Sequence, residues 1–568
     1  MKIVMNKIKY GILPLLSLFF LLQVAKGQII QQKYETRGVW LTTLNGLDWP
    51  RTKATSPASM EKQKQDLIKI LDQYQALHLN TVLLQTRVRG SMIYPSDYEG
   101  WDPCLTGTPG KDPGYDPLKF AIEECHKRGM ELHCWMVTIP SGNAQVHRQL
   151  GYKTVTKTHP KLVKKIKDYW YLDPGNPETP EYLATLCEEI TRKYDIDGIH
   201  FDFIRYPENS ADLVDRDSYR KYGKGKDKAQ WRRDNITACV RAMYRTIKAI
   251  KPWVKVTSAP LGKYRDTDRF SSTGWNGYNK VYQEAQAWLQ EGIMDGLFPM
   301  AYYKGNHFYP FIHDWIEHAN GRPIVPGLGI YFLHPSEGNW TLGDVQRQMN
   351  YCRSLGLGVA HYRSKFLTDN TKGLYSWCLK EFYPYQSLPV PMTWQTTEKP
   401  VTPTHLDVQQ ENGISQLRWD AVTDDRNHTY VMYNVYRSVQ PIVNIAAPQN
   451  LVAARLQSPA YREETYGQQY YYAVTAVNRF GIESDPLQSV TGPVITEVPA
   501  VEYAAGRIHL NTDMEAQKVR ILDLTERVLM ECPYMQEINV SQLESGSYRV
   551  VLVQKNGRKR HLGIFFKP

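Results

Sequence analysis

A (β/α)8 TIM barrel over residues 35–385, followed by two small all-β sandwich modules, is the α/β fold class this sequence predicts. Three observations carry it. Eight short apolar segments alternate with amphipathic helical patterns as far as residue 385. The polar residues of those segments gather at their C-terminal ends. Beyond about residue 386, strand-like alternation replaces the helices. An open doubly wound sheet is the rival, but the glycine-rich phosphate turn it often carries is absent after the first segment.

The strands read as "RGVWLTT" (37–43), "TVLLQTR" (81–87), "ELHCWMV" (131–137), "GIHFDFIRY" (198–206), "KVTSAP" (255–260), "GLFPMAYY" (296–303), "PIVPGLGI" (323–330) and "GVAHYRS" (358–364). Helices separate them. "YDPLKFAIEECHKRG" repeats apolar positions at Leu118, Ile122 and Cys125, and Gly129 supplies the stop. "WRRDNITACVRAMYRTIKAIKP" lines Ile236, Val240, Met243, Ile247 and Ile250 along one face before Pro252 ends it. "LGDVQRQMNYCRSLG" does the same with Val345, Met349, Cys352 and Leu355.

Residues 1–27 read as an export signal: Lys2, Lys7 and Lys9, an apolar run "GILPLLSLFFLLQVA", then Ala25-Lys26-Gly27 before Gln28. No cysteine lies near the cut for a lipid anchor, and no later segment is apolar for long enough to span a bilayer. The mature protein is therefore expected in the periplasm, at the cell surface or outside the cell. Removing the signal leaves 65 basic against 58 acidic residues, a mild excess. No dense Lys/Arg stripe with interleaved aromatics appears, so nucleic acid is a poor reading as a partner; the basic residues that bunch at 219–233 read as a solvated loop that could also attract an acidic polymer. Cys125, Cys187, Cys239 and Cys352 fall on apolar helix faces and Cys134 on an apolar strand, which favours buried thiols over disulfides. No metal-ligand spacing appears, and no cofactor is called for. The 38 Tyr and 14 Trp suit a protein that stacks sugar rings, although large β-rich cores would raise Tyr as well.

"DGIHFDFIRYP" (197–207) poses the sharpest chemical question. Asp202 ends an otherwise apolar strand, where a carboxylate costs several kcal/mol unless paired. A buried ion pair with Arg205 is one answer; a reactive group delivered to the barrel mouth is the other. His200 reads as a packed interior residue rather than a metal ligand. The mouth reading is favoured because Thr42, Thr43, Gln85, Arg87, Arg89, Arg205, Tyr206, Tyr302, Tyr303, His361 and Arg363 also end strands.

After residue 386, "ISQLRWDAV", "YNVYRS" and "QQYYYAVTAVNRFGIES" resemble a fibronectin type III sandwich over 400–495. A second β module follows over 498–568. Its "VSQLESGSYRVVLV" is similar to C-terminal sorting domains of Bacteroidetes secreted proteins, with an ordinary accessory sandwich as the alternative. The chemistry is expected to lie before residue 386, so that a chain ending near Ser387 would fold by itself.

Six blocks in order, "RGVWLTTLNGLDWP", "KDPGYDPLKFAIEECHKRGMELHCWM", "YLDPGNPE", "YDIDGIHFDFIRYP", "WRRDNITACVRAMYRTIKAIKP" and "EGIMDGLFPMAYY", resemble the glycosyl-hydrolase-like family 10 (DUF187) proteins over 35–385. The resemblance implies an exported barrel that cleaves polysaccharide, with peptide-free peptidoglycan strands as the expected substrate. There are departures: Phe203 follows Asp202 where many members carry a second aspartate, and Ser91 and Met300 replace family residues.

Glycoside hydrolysis normally uses two carboxyl groups. Asp202 is the first candidate, as nucleophile or general base. Asp48 beside Trp49 is the candidate partner, with Asp97, Asp102, Asp173 and Glu208 behind it. Trp40, Trp135, Trp101, Tyr206, Tyr302 and Tyr303 are candidates for sugar stacking, each with a core role as the alternative. Gln85, Arg87, Arg205 and His361 are candidate hydroxyl or carboxylate contacts. A non-catalytic glycan-binding protein on the same scaffold is the alternative function, and a purely structural surface protein the third.

Overall fold

Eight parallel strands curl into one sheet: β1 (Arg37–Leu41), β2 (Thr81–Arg87), β3 (Glu131–Val137), β4 (Gly198–Asp202), β5 (Lys255–Ser258), β6 (Gly296–Leu297), β7 (Gly327–Gly329) and β8 (Val359–Tyr362). Their order in the sheet is β7-β8-β1-β2-β3-β4-β5-β6. Parallel bridges Leu297↔Ile324 and Met300↔Gly327 join the two end strands and close the barrel. The computed structural model describes residues 31–567 except 209–212, 214, 272–273, 425–428, 491–499, 505, 513–515, 524–526 and 545. The export signal read at 1–27 lies outside the described residues.

The outer ring comprises α1 (Pro57–Ala76), α2 (Pro117–His126), α3 (Thr179–Lys193), α4 (Lys228–Ile250), α5 (Ala285–Glu291), α6 (Tyr309–Glu317), α7 (Leu342–Ser354) and α8 (Ser364–Thr368). Local sequence sets their starts. Asp116 caps α2 by accepting from the Leu118 and Lys119 N–H groups, and Asp227 caps α4 by accepting from Gln230 N. Thr341 and Asp344 form a reciprocal capping box on α7. Between β3 and α3 the chain inserts a small antiparallel sheet (Pro140–Asn143, Val163–Ile166 and Tyr169–Leu172). That insertion matters for the site.

β2 and β3 have the predicted bounds. The other six are shorter than expected, β4, β6 and β7 by the most and for local reasons. β4 ends at Asp202 because Phe203 takes a left-handed backbone, φ 51°. β6 and β7 shrink where Pro299, Pro323 and Pro326 lack the N–H a ladder needs.

Two apolar cores result. One lies between strands and helices. The other fills the barrel lumen with Trp40, Leu83, Trp135, Ala259, Phe298, Val325 and Ala360. That set draws on or beside every strand except β4, which contributes His200 instead, edge-on to Trp40 and Phe298. Cys125, Cys134, Cys187, Cys239 and Cys352 are buried free thiols.

The C-terminal region is all-β. Residues 407–488 form antiparallel sheets of three, two and four strands, and the three- and four-stranded sheets share a core around Leu417, Trp419, Tyr433 and Val474. Residues 501–567 form sheets of three and four strands around Ile508, Val519, Ile538 and Val550. No helix among the described residues is long and apolar enough to cross a membrane.

Candidate active site

Asp202 sits at the C-terminal end of β4 and is 6% exposed. Its two oxygens are held separately. The Trp135 indole N–H donates to Oδ2 at 3.0 Å, and the Phe203 backbone N–H donates to Oδ1 at 2.7 Å. Among the described residues it makes no ion pair within 4.0 Å. Burial pushes its carboxyl above the ordinary aspartate value, and Arg205, Phe203 N–H, Trp135 and Arg89 only partly pull it back. The tyrosines Tyr302 and Tyr362 stand close enough to feel the Asp202 charge and stack on each other with centroids 5.2 Å apart.

Beneath it, His200 is fully buried and neutral, its pKa driven far down by burial and by His133. Trp40 donates to His200 Nε2 at 3.3 Å, so the ring proton lies on Nδ1 and donates to Thr257 Oγ1 at 2.9 Å. The residue is a packed interior group, as read from sequence.

A cleft of about 570 Å³ opens beyond the end of β4, starting at Phe203, the residue after Asp202; Asp202 itself does not line it. Phe203, Arg205 and Glu208 from the β4 loop form one side, and Lys167, Tyr169 and Tyr171 from the inserted sheet form another. Arg89, left-handed at φ 60°, also reaches it.

The structure sorts the other candidates. Asp48 is 3% exposed and fully engaged: it accepts from Thr42 N at 3.0 Å, Lys365 N at 3.1 Å and the Arg363 guanidinium. It clasps the β1 loop to the end of β8, a structural task rather than the reactive one expected of it. Burial nevertheless pushes its carboxyl up against the pull of Arg363.

Arg87 is also a correction. It is fully buried, bidentate to Glu99 at 2.6 and 2.7 Å, and bonded to the Val137 and Thr138 carbonyls, so four of its five N–H donors are taken and its side chain does not reach the cleft. Gln85 accepts from Thr42 Oγ1, Thr43 N and Leu44 N, shaping the β1 loop. His361 is fully buried against Tyr383, with burial lowering its pKa to about 4. Tyr206 is fully buried, its hydroxyl accepting from Asn235 Nδ2 at 3.4 Å. Trp40 belongs to the lumen core, and Trp101 packs on the barrel–helix core. Of these, Tyr206 borders the cleft, with its side chain fully buried, and the others lie away from it.

Trp135 and Tyr302 remain at the site, Trp135 through its bond to Asp202 rather than as a sugar platform. Of the further carboxylates, Asp102 accepts from Ser91 and Cys104 N, Asp173 from Ser218 and Gly175 N, and Asp97 pairs with Lys193. Only Glu208, with its side chain 67% exposed, lines the cleft.

Sequence reading missed Tyr169, Tyr171 and Lys167, which come from an insertion with no strand-end signature. It also missed Trp275, whose ring lies 5.5 Å from the Arg205 guanidinium.

Residues 35–317 match the family model described as Glycosyl hydrolase-like 10. The chain is 29% identical over 521 residues to glycosyl hydrolase YngK of Bacillus subtilis (strain 168), covering 86% of this chain and all of that relative. It is 33% identical over 292 residues to glycosyl hydrolase DigH of Escherichia coli (strain K12), covering 48% of this chain and 66% of that protein. Among solved structures, the PgaB (BpsB) glycoside hydrolase domain from Bordetella bronchiseptica aligns with TM-score 0.42 and 13% identity, over 61% of this chain and 98% of that one. Alpha-L-fucosidase isoenzyme 2 from Paenibacillus thiaminolyticus aligns with TM-score 0.41 and 14% identity, over 61% of this chain and 49% of that one. Through residues 35–317, this chain belongs to the glycosyl hydrolase-like 10 family.

Proposed function

We propose that the protein is an exported glycoside hydrolase that cleaves a cell-envelope polysaccharide, peptidoglycan glycan strands, through Asp202. One observation carries the reaction: Asp202 is a strand-end carboxyl that is buried, oriented by two N–H donors, one residue before the wall of an open cleft, and in no ion pair within 4.0 Å among the described residues. A carboxyl with a raised pKa keeps its proton further toward neutral pH, which suits donation to a leaving glycosidic oxygen. Glu208 is the carboxylate that lines that cleft, and it is the candidate to act opposite Asp202. The substrate assignment rests on the family resemblance, and the export assignment on the N-terminal signal pattern.

Peptide-stripped peptidoglycan strands, tested beside xylan, starch and chitin with a reducing-end assay, check the reading. Cleavage of the wall strands is expected. Cleavage of a plant polymer alone would overturn the substrate and leave the reaction class standing. Mass spectrometry of the secreted protein should find the N-terminus near Gln28; retention of Met1 would contradict export.

A non-catalytic glycan-binding protein is the second reading. Its support is the engagement of Asp48, which leaves an exposed Glu208 as the partner for Asp202. Tight binding of the strands without release of reducing ends would favour it.

A further inference from the structure

We propose that the cleft beyond the end of β4 is a subsite for an oxyanion carried on a sugar ring, with the Arg205 guanidinium as its principal contact. The proposal rests on the glycoside-hydrolase reading of the same site and adds what the substrate must carry.

Arg205 is the starting point. It is 4% exposed, its Nε has no hydrogen-bond partner, and its guanidinium makes no hydrogen bond among the described residues. The nearest carboxylate is Glu208 at 4.0 Å, whose side chain is mostly in solvent. Other buried arginines of this protein are paired: Arg37 with Glu35 at 2.7 Å, Arg87 with Glu99 at 2.6 Å, Arg353 with Glu35 at 2.7 Å, and Arg455 with Asp197 at 2.6 Å. A buried cation without a partner is costly. Arg205 is instead held on ring faces, 4.6 Å from Phe203 and 5.5 Å from Trp275. No described residue supplies that partner, which points to one from outside the chain.

The surroundings fit an anion. Arg89 and Lys167 add two cations to the cleft against the single acid Glu208. A planar guanidinium matches a carboxylate with two parallel hydrogen bonds, and it takes a sulfate with the same fork. Beside the charge, Tyr169 is 37% exposed and lines the cleft with Tyr171, giving the apolar face of a sugar a ring to rest on. Charge and ring lie together, so the ligand is an acidic sugar rather than a free anion.

The test measures binding to the full chain carrying Asp202→Asn, so that turnover does not intervene. The probes are a muramic-acid-containing oligosaccharide, the same oligosaccharide with its carboxyl groups reduced to alcohols, and a sulfated oligosaccharide. The acid form should bind at least about tenfold more tightly than its reduced counterpart. Adding Arg205→Gln should bring that ratio to within about twofold. Tighter binding of the sulfated probe than of the acid would identify sulfate as the oxyanion. Equal affinity for the acid and reduced forms, with no preference for sulfate, would overturn the proposal, as would a ratio that survives Arg205→Gln in a folded protein. Because Arg205 is buried, Lys167→Gln on the exposed rim gives a second reading, an expected fall in the ratio of about twofold. Failure of the unsubstituted protein to cleave either oligosaccharide would count against hydrolysis and leave the affinity ratio readable.

Discussion

The Trp135 indole N–H donates to Asp202 Oδ2 at 3.0 Å across the β3–β4 pair. Val137 is the register partner of Asp202, so Trp135 reaches forward from two residues earlier on its strand. Together with the Phe203 N–H on Oδ1, it fixes the plane of the carboxyl. Trp135 is thus a positioning residue.

Trp135→Phe removes the donor and keeps most of the ring volume. A hydrogen bond to a carboxylate favours the charged form, so losing it raises the Asp202 pKa further. The limb of the pH–rate profile set by Asp202 should move to higher pH, with a rate loss of about tenfold. A purely packing role for Trp135 predicts a lower Tm and an unmoved limb.

Glu208 and Asp48 separate under matched substitutions. Glu208→Gln should lower kcat about a hundredfold, the lower end for acid–base groups, and leave Tm unchanged because the side chain is exposed. Asp48→Asn leaves Arg363 without its charge partner, and breaking a pair so buried costs up to about 3 kcal/mol. Thermal unfolding with initial rates on the folded fraction checks both. Lost activity in Asp48→Asn at an unchanged Tm would restore Asp48 as the reactive partner.

The β region does not hang free of the barrel. Arg455 inserts between Asp197 at 2.6 Å and Glu131 at 3.2 Å, and Arg479 pairs with Asp195 at 2.5 Å. Burial pushes the Asp197 carboxyl up, but His126, Arg455 and Arg479 outweigh it and hold it well below the ordinary value. A carboxyl with a depressed pKa adds stability above its unfolded value and loses it as pH falls through the folded one. These pairs weigh against a chain ending near Ser387 folding as stably as the whole: truncation would leave Asp197 with His126 and Glu131 with Lys255 but take away their arginine partners.

Arg455→Met in the full chain should cost about 3–5 kcal/mol at neutral pH, as for a broken buried pair. The deficit should shrink as pH falls below the ordinary carboxylate range. Urea unfolding at neutral and acid pH measures it. A Ser387-terminated chain that unfolds at the same midpoint as the whole protein would contradict the latch.

Much of this architecture was legible in the sequence because strand periodicity is local. β2 and β3 need no knowledge of distant residues, and Asp202 announces itself as a carboxylate in an apolar strand. Partners are not local. Arg87 reads as a mouth residue until Glu99 folds back on it. Asp48 looks free until Arg363, 315 residues away, closes on it. Arg455 lies 258 residues from Asp197 and carries no motif. The cleft wall of Lys167, Tyr169 and Tyr171 was hidden for another reason: a short antiparallel insertion breaks the strand–helix rhythm by which the barrel is read.

The most direct test is Asp202→Asn, assayed on peptide-stripped peptidoglycan strands with Tm measured on the same sample. The substitution keeps the shape and removes the ionisable carboxyl. A buried group whose pKa is raised on folding weighs against the folded state once pH exceeds that value, so its neutral replacement should leave Tm at neutral pH unchanged or higher. The expected result is a loss of rate of at least about a hundredfold at unchanged or raised Tm. A large fall in Tm, with activity persisting in the protein that stays folded, would show that Asp202 holds the barrel together rather than acting on the glycan.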